Sequence, residues 1–486
     1  MRGADTPPSE PILGRAERVS AMSSIPTFDE PPSPVPPSSP ASIPIEPPPL
    51  PSGRPRLSPQ KHLEIYRANR ERLYPQVTDA QWNDWKWQQK NRVQTLEQIT
   101  ALFSVDEFNT ARLQDVFELY RTAITPYYLC LINFDDPADP LRLQSVPAAE
   151  EMANPGELVW DPLNEEGDSP VTGIVHRYPD RCLFLVTSYC PLYCRYCTRK
   201  RKWVDEDGTT GQRRIERMIE YVAEHPEIRD VIVSGGDPLS LSLTYLEKIL
   251  AGLRAIPHVE IIRFGSRVPV FLPQRIDEEL TSMLEKYHPI WINTHFNHPN
   301  EITPEAAAAC DRLLRAGIPV NNQAVLLRGV NDCPYTMRDL VQGLMKIRVR
   351  PYYLYLCDQV MGAEHFRTSV GEGIEIMEFL RGHTSGLAIP QFVMDAPGGG
   401  GKIPLMPNYV LGNYGDSIVY RNFEGVIGRY DDIPRQPHHC ERCSDRESFE
   451  ERGIAKLLNR TADRFEPQAV RDIPRGVNIK KRGRAE

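Results

Sequence analysis

Three cysteines lie within one stretch of eight residues, Cys190, Cys194 and Cys197, in the spacing CxxxCxxC. A [4Fe–4S] cluster is normally held by four thiolates, so three thiolates leave one iron free to bind a small molecule. Zinc usually takes four ligands, and no further Cys or His lies close by in the sequence. A zinc site with a distant ligand, structural cysteines, and a basic nucleic-acid patch in the adjoining TRKRK segment remain as alternatives. The spacing favours an open iron–sulfur cluster.

A second stretch that could carry chemistry is DAPGGGGK, which runs from Asp395 to Lys402. A phosphate-binding P-loop does not fit, because Ala396 stands where its first glycine should be and Ile403 replaces the Ser or Thr that binds magnesium. Four glycines before a lysine indicate backbone that passes close to a bulky group. The lysine could form a Schiff base with pyridoxal phosphate (PLP), while a flexible loop is the plainer alternative.

The elements that must position these residues follow a βα pattern from about residue 180. Six short apolar strands alternate with amphipathic helical segments, which predicts a parallel sheet covered by helices. Six repeats are fewer than the eight of a closed TIM barrel, so we expect an α/β fold with a partial (β/α)6 barrel. The cysteines follow the first of these strands and the segment SGGDP (234–238) follows the second, at the strand ends where such folds place their chemistry.

The rest of the chain is divided into segments on either side of this barrel. Residues 1–60 hold 17 of the 46 prolines and predict a disordered tail. Residues 61–175 predict a helical region, 176–390 the barrel, 391–435 the lysine loop and a closing segment, and 436–486 a C-terminal segment. The three tryptophans Trp82, Trp85 and Trp87 are expected to be packing residues.

Bulk composition excludes some classes of function. A net charge of −8 gives no reason to expect nucleic-acid binding. No apolar run reaches the roughly 20 residues that a membrane helix needs. We therefore expect a cytoplasmic protein, in which the ten cysteines are thiols or metal ligands.

Together, the cysteine motif, SGGD and DAPGGGGK resemble the lysine 2,3-aminomutase family of radical S-adenosylmethionine (SAM) enzymes. The similarity runs from about residue 75 to 430. It implies that the open iron binds SAM, that a deoxyadenosyl radical is generated, and that an amino group migrates between neighbouring carbons. The residues that the resemblance places near SAM are Ser234, Gly235, Gly236, Asp237 and Gln323. Those that it places around PLP are Arg177, Arg181, Tyr355 and Lys402, the last as the Schiff-base lysine.

The resemblance also implies a small cationic amino acid as substrate. Arg199 matches the family arginine that pairs with the substrate carboxylate, and Asp358 and Asp395 match two aspartates that hold a side-chain ammonium. Two carboxylates demand a cation, so L-lysine is favoured as the substrate. The alternative is an arginine 2,3-aminomutase, which would convert L-arginine to β-arginine. A zinc-binding interaction protein is the alternative from a different class, and the proline tail and CxxC motif would be its features.

The resemblance implies further partners. A one-electron reductant such as flavodoxin or ferredoxin must supply an electron to the cluster. A homo-oligomer is also expected. Family members bind zinc across a subunit interface, and here the candidate ligands are Cys333, Cys440 and Cys443. His438 and His439 precede this CxxC motif, so that a histidine could replace a missing cysteine.

Overall fold

The computed structural model describes residues 58–103, 107–153, 158–203 and 208–433. The predicted tail up to residue 57 and the segment from residue 434 onward, with Cys440 and Cys443, lie outside the described residues. The α-helices within the described ranges are α1 (Pro59–Leu73), α2 (Asp79–Trp82), α3 (Trp85–Lys90), α4 (Leu96–Leu102), α5 (Glu107–Leu119), α6 (Pro126–Cys130), α7 (Pro140–Ser145), α8 (Gln212–Glu224), α9 (Leu243–Arg254), α10 (Val268–Phe271), α11 (Glu278–Glu285), α12 (Pro304–Arg315), α13 (Pro334–Lys346) and α14 (Val370–Leu380). The strands in the same ranges are β1 (Ile174–Tyr178), β2 (Arg181–Leu185), β3 (Asp230–Ser234), β4 (Ile261–Gly265), β5 (Ile290–Thr294), β6 (Val320–Leu326), β7 (Arg350–Leu356), β8 (Gln391–Ala396), β9 (Gly401–Pro404), β10 (Val410–Tyr414), β11 (Ser417–Arg421) and β12 (Ile427–Asp431).

The N-terminal helices begin where the sequence carries capping residues. The Ser58 side chain accepts the backbone N–H of Lys61 before α1, and Thr78 forms a reciprocal capping box with Gln81 at the start of α2. Trp82 is buried and packs against Trp87 with ring centroids 6.0 Å apart. The tryptophans therefore serve packing, as the sequence predicts.

The main sheet has nine strands in the order β1 to β9, each hydrogen-bonded to the next. Strands β2 to β8 pair in parallel, while β1 and β9 pair antiparallel at the two edges. The six predicted strands are β2 to β7, so the partial α/β barrel is confirmed. The sequence interpretation missed β8 and β9, because their segment was assigned to the glycine-rich loop.

Alternation along the strands separates the core from the barrel interior. On β3, Val231 and Val233 are fully buried in the hydrophobic core, while Ile232 and Ser234 face a cavity inside the barrel. Helices α8, α9 and α11 to α14 contribute apolar residues to the same core. The core thus lies between sheet and helices, and the interior remains available for ligands.

The first and last strands of the sheet meet through a side chain. The Tyr178 hydroxyl on β1 accepts the backbone N–H of Lys402 on β9 at 2.9 Å. Nearby, the backbone N–H of Gly398 donates to the carbonyl of Pro162 at 2.9 Å. These contacts join the two edges and bring the glycine-lysine segment over the barrel mouth.

A separate antiparallel sheet of β10, β11 and β12 follows the barrel. No helix among the described residues is long and apolar enough to cross a membrane.

Candidate active site

A cavity of about 610 Å³ occupies the barrel mouth, and the predicted site residues converge on it. Of those within the described ranges, all except Cys333 line this one cavity. They are Arg177, Arg181, Cys190, Cys194, Cys197, Arg199, Ser234, Gly235, Gly236, Asp237, Gln323, Tyr355, Asp358, Asp395 and Lys402. The three cysteines and Lys402 therefore line the same cavity, although Lys402 lies 205 positions after even the last cysteine in the chain.

The cysteine loop is fixed by the two glycines that follow β3. The backbone N–H of Gly236 donates to the Thr187 carbonyl at 2.5 Å, and that of Asp237 donates to the Tyr189 carbonyl at 2.8 Å. A Cβ on Gly236 would lie 2.2 Å from the Tyr189 oxygen, and Gly235 has a φ of +130°. Only glycine fits such an approach. These glycines accordingly seat the loop that carries Cys190.

Two of the thiols receive hydrogen bonds from the surrounding protein. Arg267, which follows β4, points Nη1 at the sulfur of Cys194 at 2.7 Å. The backbone N–H of Arg199 donates to the sulfur of Cys197 at 3.4 Å. Among the described residues no three Cys, His, Asp or Glu side chains converge on one metal ion. In a [4Fe–4S] cube each thiolate binds a different iron, so this cysteine set fits a cluster better than a single ion.

Lys402 faces Asp395 because the two residues are partners across the hairpin of β8 and β9. The Lys402 ammonium lies 2.9 and 3.1 Å from the two carboxylate oxygens of Asp395. It also lies 4.9 Å from the ring centroid of Tyr355. Three of the four glycines before Lys402 have positive φ values, which makes the tight turn possible. The predicted loop is thus an ordered hairpin that points its lysine into the cavity.

Asp358, which follows β7, lines the cavity near Asp395. Burial raises its pKa to about 7, and the negative charge of Asp395 acts in the same direction. The Thr198 hydroxyl, beside the last cysteine, and the Lys402 ammonium oppose this shift only in part. Two carboxylates in one enclosed site therefore favour a cationic ligand.

Arg199 is held by Glu165, a residue that the sequence interpretation did not identify. The Arg199 guanidinium donates through Nε and Nη2 to Glu165 at 3.0 and 2.8 Å, and Nη1 lies 3.4 Å from the Ser234 hydroxyl. Arg201 donates to the same carboxylate at 2.7 Å. Burial opposes ionisation of Glu165, but Arg199 and then Arg201 outweigh it and lower the Glu165 pKa to about 2. Arg201 also pairs with Asp161 at 3.2 Å and with Glu166 at 3.4 Å, so Glu165 is the carboxylate that holds Arg199 in place.

The two arginines from HRYPDR are each engaged by a nearby carboxylate. Arg177 donates to Asp168 at 2.8 Å and also to the carbonyl of Leu163. Arg181 donates to Asp180 at 2.7 Å and lies over the Tyr178 ring. Both line the cavity on the side of the β1 and β2 strands.

Asp237 and Gln323 have partners within the protein. Asp237 accepts the Ser266 hydroxyl and the backbone N–H of Arg267, both at 2.7 Å, and so joins the ends of β3 and β4. Gln323 donates to the Tyr355 hydroxyl at 3.3 Å. In this structure Asp237 therefore supports the mouth of the barrel through its carboxylate.

Comparison with known proteins decides the family. The radical SAM superfamily matches residues 184–341, and the C-terminal lysine-2,3-aminomutase family matches residues 377–486. The L-lysine 2,3-aminomutase of Clostridium subterminale is 52% identical over 410 residues, which cover 84% of this chain and 99% of that protein. The chain belongs to the lysine 2,3-aminomutase family.

Other family members span more than one substrate. The L-lysine 2,3-aminomutase of Methanococcus maripaludis is 48% identical over 399 residues, 80% of this chain and 92% of that protein. The glutamate 2,3-aminomutase of Clostridioides difficile is 45% identical over 357 residues, 74% of this chain and 84% of that protein. Identity alone therefore assigns an amino-acid isomerase, and the charges of the cavity must select the side chain.

Membership of the radical SAM superfamily implies a [4Fe–4S] cluster, SAM and a reductant. The cavity fits the first two, because it is lined by three thiols beside the glycine pair after β3. The described residues do not hold all three predicted zinc ligands for the same comparison. Cys333 occupies the N-cap position of α13 without a side-chain capping hydrogen bond and does not line the cavity, and Cys440 and Cys443 lie outside the described residues.

Several cavity residues had no role in the sequence interpretation. His295, which follows β5, lines the cavity, and burial lowers its pKa to about 3, with Arg267 adding to the effect. Its position at a strand end is the sequence signal for it. Glu165 lies in a stretch without periodicity, and its pairing with Arg199 becomes visible only in three dimensions.

Proposed function

We propose that this protein is an L-lysine 2,3-aminomutase, which interconverts L-lysine and L-β-lysine by moving an amino group between neighbouring carbons. The observation that carries the proposal is one cavity lined by three cysteines, Lys402 and the carboxylates Asp358 and Asp395. Relatives named L-lysine 2,3-aminomutase, at about 50% identity over most of the chain, support it.

The substrate side chain is selected by charge. Asp358 and Asp395 both face the cavity, so a side-chain ammonium is stabilised there and the carboxylate of glutamate is repelled. At the other end of the substrate, Arg199 binds the α-carboxylate through a charge-assisted pair. This arrangement favours lysine over glutamate, the substrate named for the relative from Clostridioides difficile.

PLP is the second cofactor in the proposal. Lys402 would hold its aldehyde carbon, Arg177 and Arg181 its phosphate, and Tyr355 would lie beside it; all four line the cavity. When bound, PLP would supply the carbonyl carbon that carries the substrate amino group during its migration. Lys402 must release the cofactor to the incoming amine, and Asp395 lies within hydrogen-bond distance to take up or return the lysine's proton.

The cluster and SAM would occupy the opposite wall. Cys190, Cys194 and Cys197 would hold three irons, and the backbone after β3 together with Gln323 would contact SAM. The barrel wall surrounds the cavity and would shield a carbon radical formed there from much of the bulk solvent.

L-arginine 2,3-aminomutase is the second candidate, because a guanidinium satisfies the same pair of carboxylates. The names of the most similar relatives favour lysine. The rest of the proposal comprises a cytoplasmic location, a flavodoxin-like or ferredoxin-like reductant, a homo-oligomer, and a zinc site at Cys333, Cys440 and Cys443. Metal analysis of cluster-loaded protein tests the zinc: iron without zinc would remove that site from the proposal.

The experiment uses anaerobically purified, reduced full chain with SAM and PLP. We expect L-lysine to be converted to L-β-lysine, with little or no turnover of L-arginine and L-glutamate. Lys402→Ala should abolish both turnover and the visible absorbance of a bound Schiff base. Lys286→Ala, a surface lysine paired with Glu247, is the control and should leave both unchanged. Efficient production of β-arginine alone would transfer the assignment to the second candidate. A Lys402→Ala variant that still converts L-lysine would remove PLP from the proposed function.

A further inference from the structure

Arg267 is a buried cation for which the proposed reaction provides no role. Its side chain is 7% exposed. Nη1 lies 2.7 Å from the Cys194 sulfur, Nε donates to the His295 carbonyl at 3.0 Å, and Nη2 donates to Gln144 at 2.8 Å. The guanidinium is therefore fixed along its length with one nitrogen directed at a thiol of the cysteine motif.

The countercharge of Arg267 lies at Nη2, the terminal nitrogen that does not face the cysteine. Nη2 lies 2.5 Å from Oε1 of Glu301, which is fully buried. The other Glu301 oxygen accepts the backbone N–H groups of Asn297 and His298 at 2.6 and 3.0 Å. The carboxylate thus holds the guanidinium in place, while the nitrogen nearest the sulfur remains directed at Cys194.

The surroundings of the cysteines are consequently unequal. The hydrogen bond to the Cys197 sulfur comes from a neutral backbone N–H, with the charges of Arg199 and Lys200 nearby, whereas Cys194 accepts its hydrogen bond directly from a charged guanidinium. Hydrogen bonds to sulfur and nearby charge are among the features by which proteins set the reduction potential of iron–sulfur clusters.

We propose that Arg267 sets the reduction potential of the cluster by donating a charged hydrogen bond to the thiolate of Cys194. When the cluster accepts one electron from its reductant, its net charge becomes one unit more negative and no bond is made or broken. A fixed cation at the Cys194 sulfur stabilises that reduced form and makes the potential less negative. Glu301 moderates the effect, because its negative charge is paired with the same guanidinium through Nη2. Arg267 is therefore a tuning residue, not a catalytic one.

The proposal predicts shifts of opposite sign for two substitutions. In Arg267→Gln the cation is lost, so we expect the equilibrium constant for one-electron reduction to fall at least tenfold, a shift of about 59 mV to more negative potential. In Glu301→Gln the moderating charge is lost, so the potential should become less negative than in the unaltered protein. Arg267→Lys keeps the positive charge but loses the planar guanidinium, so its reduction potential should lie between those of Arg267→Gln and the unaltered protein.

The measurement is a redox titration of the reconstituted full chain, followed by the electron paramagnetic resonance signal of the reduced cluster. Neither PLP nor an amino acid is added, so the outcome does not depend on the proposed aminomutase activity. Arg263→Gln is the matched control, since Arg263 lies on β4, the strand that Arg267 follows, lines the same cavity and is neutralised by Asp230 at 2.7 Å. It should change the equilibrium constant less than threefold.

Iron and sulfide content per chain verifies that each variant holds a full cluster. An unchanged or less negative potential in Arg267→Gln would overturn the proposal, as would a shift of equal size in the Arg263 control. If Arg267→Gln does not retain the cluster, Glu301→Gln decides, and a potential that fails to become less negative would overturn the assignment.

Discussion

The charge state of Asp358 should control how tightly the cavity holds a cationic side chain. Burial and the neighbouring Asp395 raise the Asp358 pKa to about 7, so the carboxyl is largely protonated below that pH and ionised above it. A substrate ammonium prefers the ionised form. Its binding should therefore strengthen as pH rises through about 7 and weaken as pH falls, with the lysine side chain charged throughout.

The magnitude follows from two steps. Removing one partner of a buried charge pair costs about 2 to 5 kcal/mol, and the lower end, about 30-fold in kcat/KM, suits a carboxylate that lines a cavity. With a pKa of about 7, the ionised fraction of Asp358 rises about tenfold between pH 6 and pH 8. The ratio of wild-type to Asp358→Asn kcat/KM for L-lysine should thus be about 3 at pH 6 and about 30 at pH 8.

The assay measures formation of L-β-lysine under anaerobic conditions at several pH values in both proteins. Taking the ratio removes the pH dependence that both proteins share, such as deprotonation of the substrate α-amine. Inhibition by L-norleucine, which lacks the side-chain ammonium, is the control, and its ratio should stay near one. A lysine ratio that is flat between pH 6 and pH 8, or that falls with rising pH, would refute this role for Asp358.

Two further substitutions test the supports of the site. Gly236→Ala forces a Cβ to 2.2 Å from the Tyr189 carbonyl oxygen, so the cysteine loop should shift and iron content per chain after reconstitution should drop at least twofold. Gly386→Ala is the control, because its added Cβ would have no atom within 4 Å, and it should leave iron content unchanged. A normal iron content in Gly236→Ala would contradict this role of the glycine. Glu165→Gln leaves two arginines without their shared carboxylate, so the free energy of unfolding should fall by about 3 kcal/mol at pH 7. Because the Glu165 pKa is lowered to about 2, this stabilisation is present above about pH 4.3 and is lost as pH falls toward 2, which thermal unfolding of both proteins would record. A difference in stability that persists at pH 2 would contradict it.

The fold could be predicted where periodicity carries the information. Strands β2 to β7 show continuous or alternating apolar residues, and the cysteines and SGGD follow directly from strand ends. Strand β8 also carries apolar residues, but its neighbour β9 is four residues long, follows three glycines and begins with a fourth, so the hairpin had no clear pattern of its own. The pairing of Asp395 with Lys402 is a consequence of that hairpin register.

The parts of the site that could not be predicted depend on contacts between distant segments. Glu165 reaches Arg199 across 34 residues, and Arg267 reaches Cys194 across 73. A single sequence gives the residue types but not which buried charges will meet. The predicted roles of Arg177 and Arg181 remain predictions, because in this structure carboxylates of the chain itself occupy part of their hydrogen-bonding capacity.

The order of the strands explains why the site depends on completion of the barrel. The cysteines follow β2 near one edge of the main sheet, and Lys402 lies on β9 at the opposite edge. In a flat sheet these groups would be the most distant functional residues, whereas curvature brings β9 against β1 until Tyr178 accepts the Lys402 backbone N–H. A chain that has formed β2 to β7 alone would therefore hold its cysteine motif but not its lysine. Because the proposed cluster ligands and the proposed Schiff-base lysine come from opposite edges, both reach one cavity only when the last hairpin is in place.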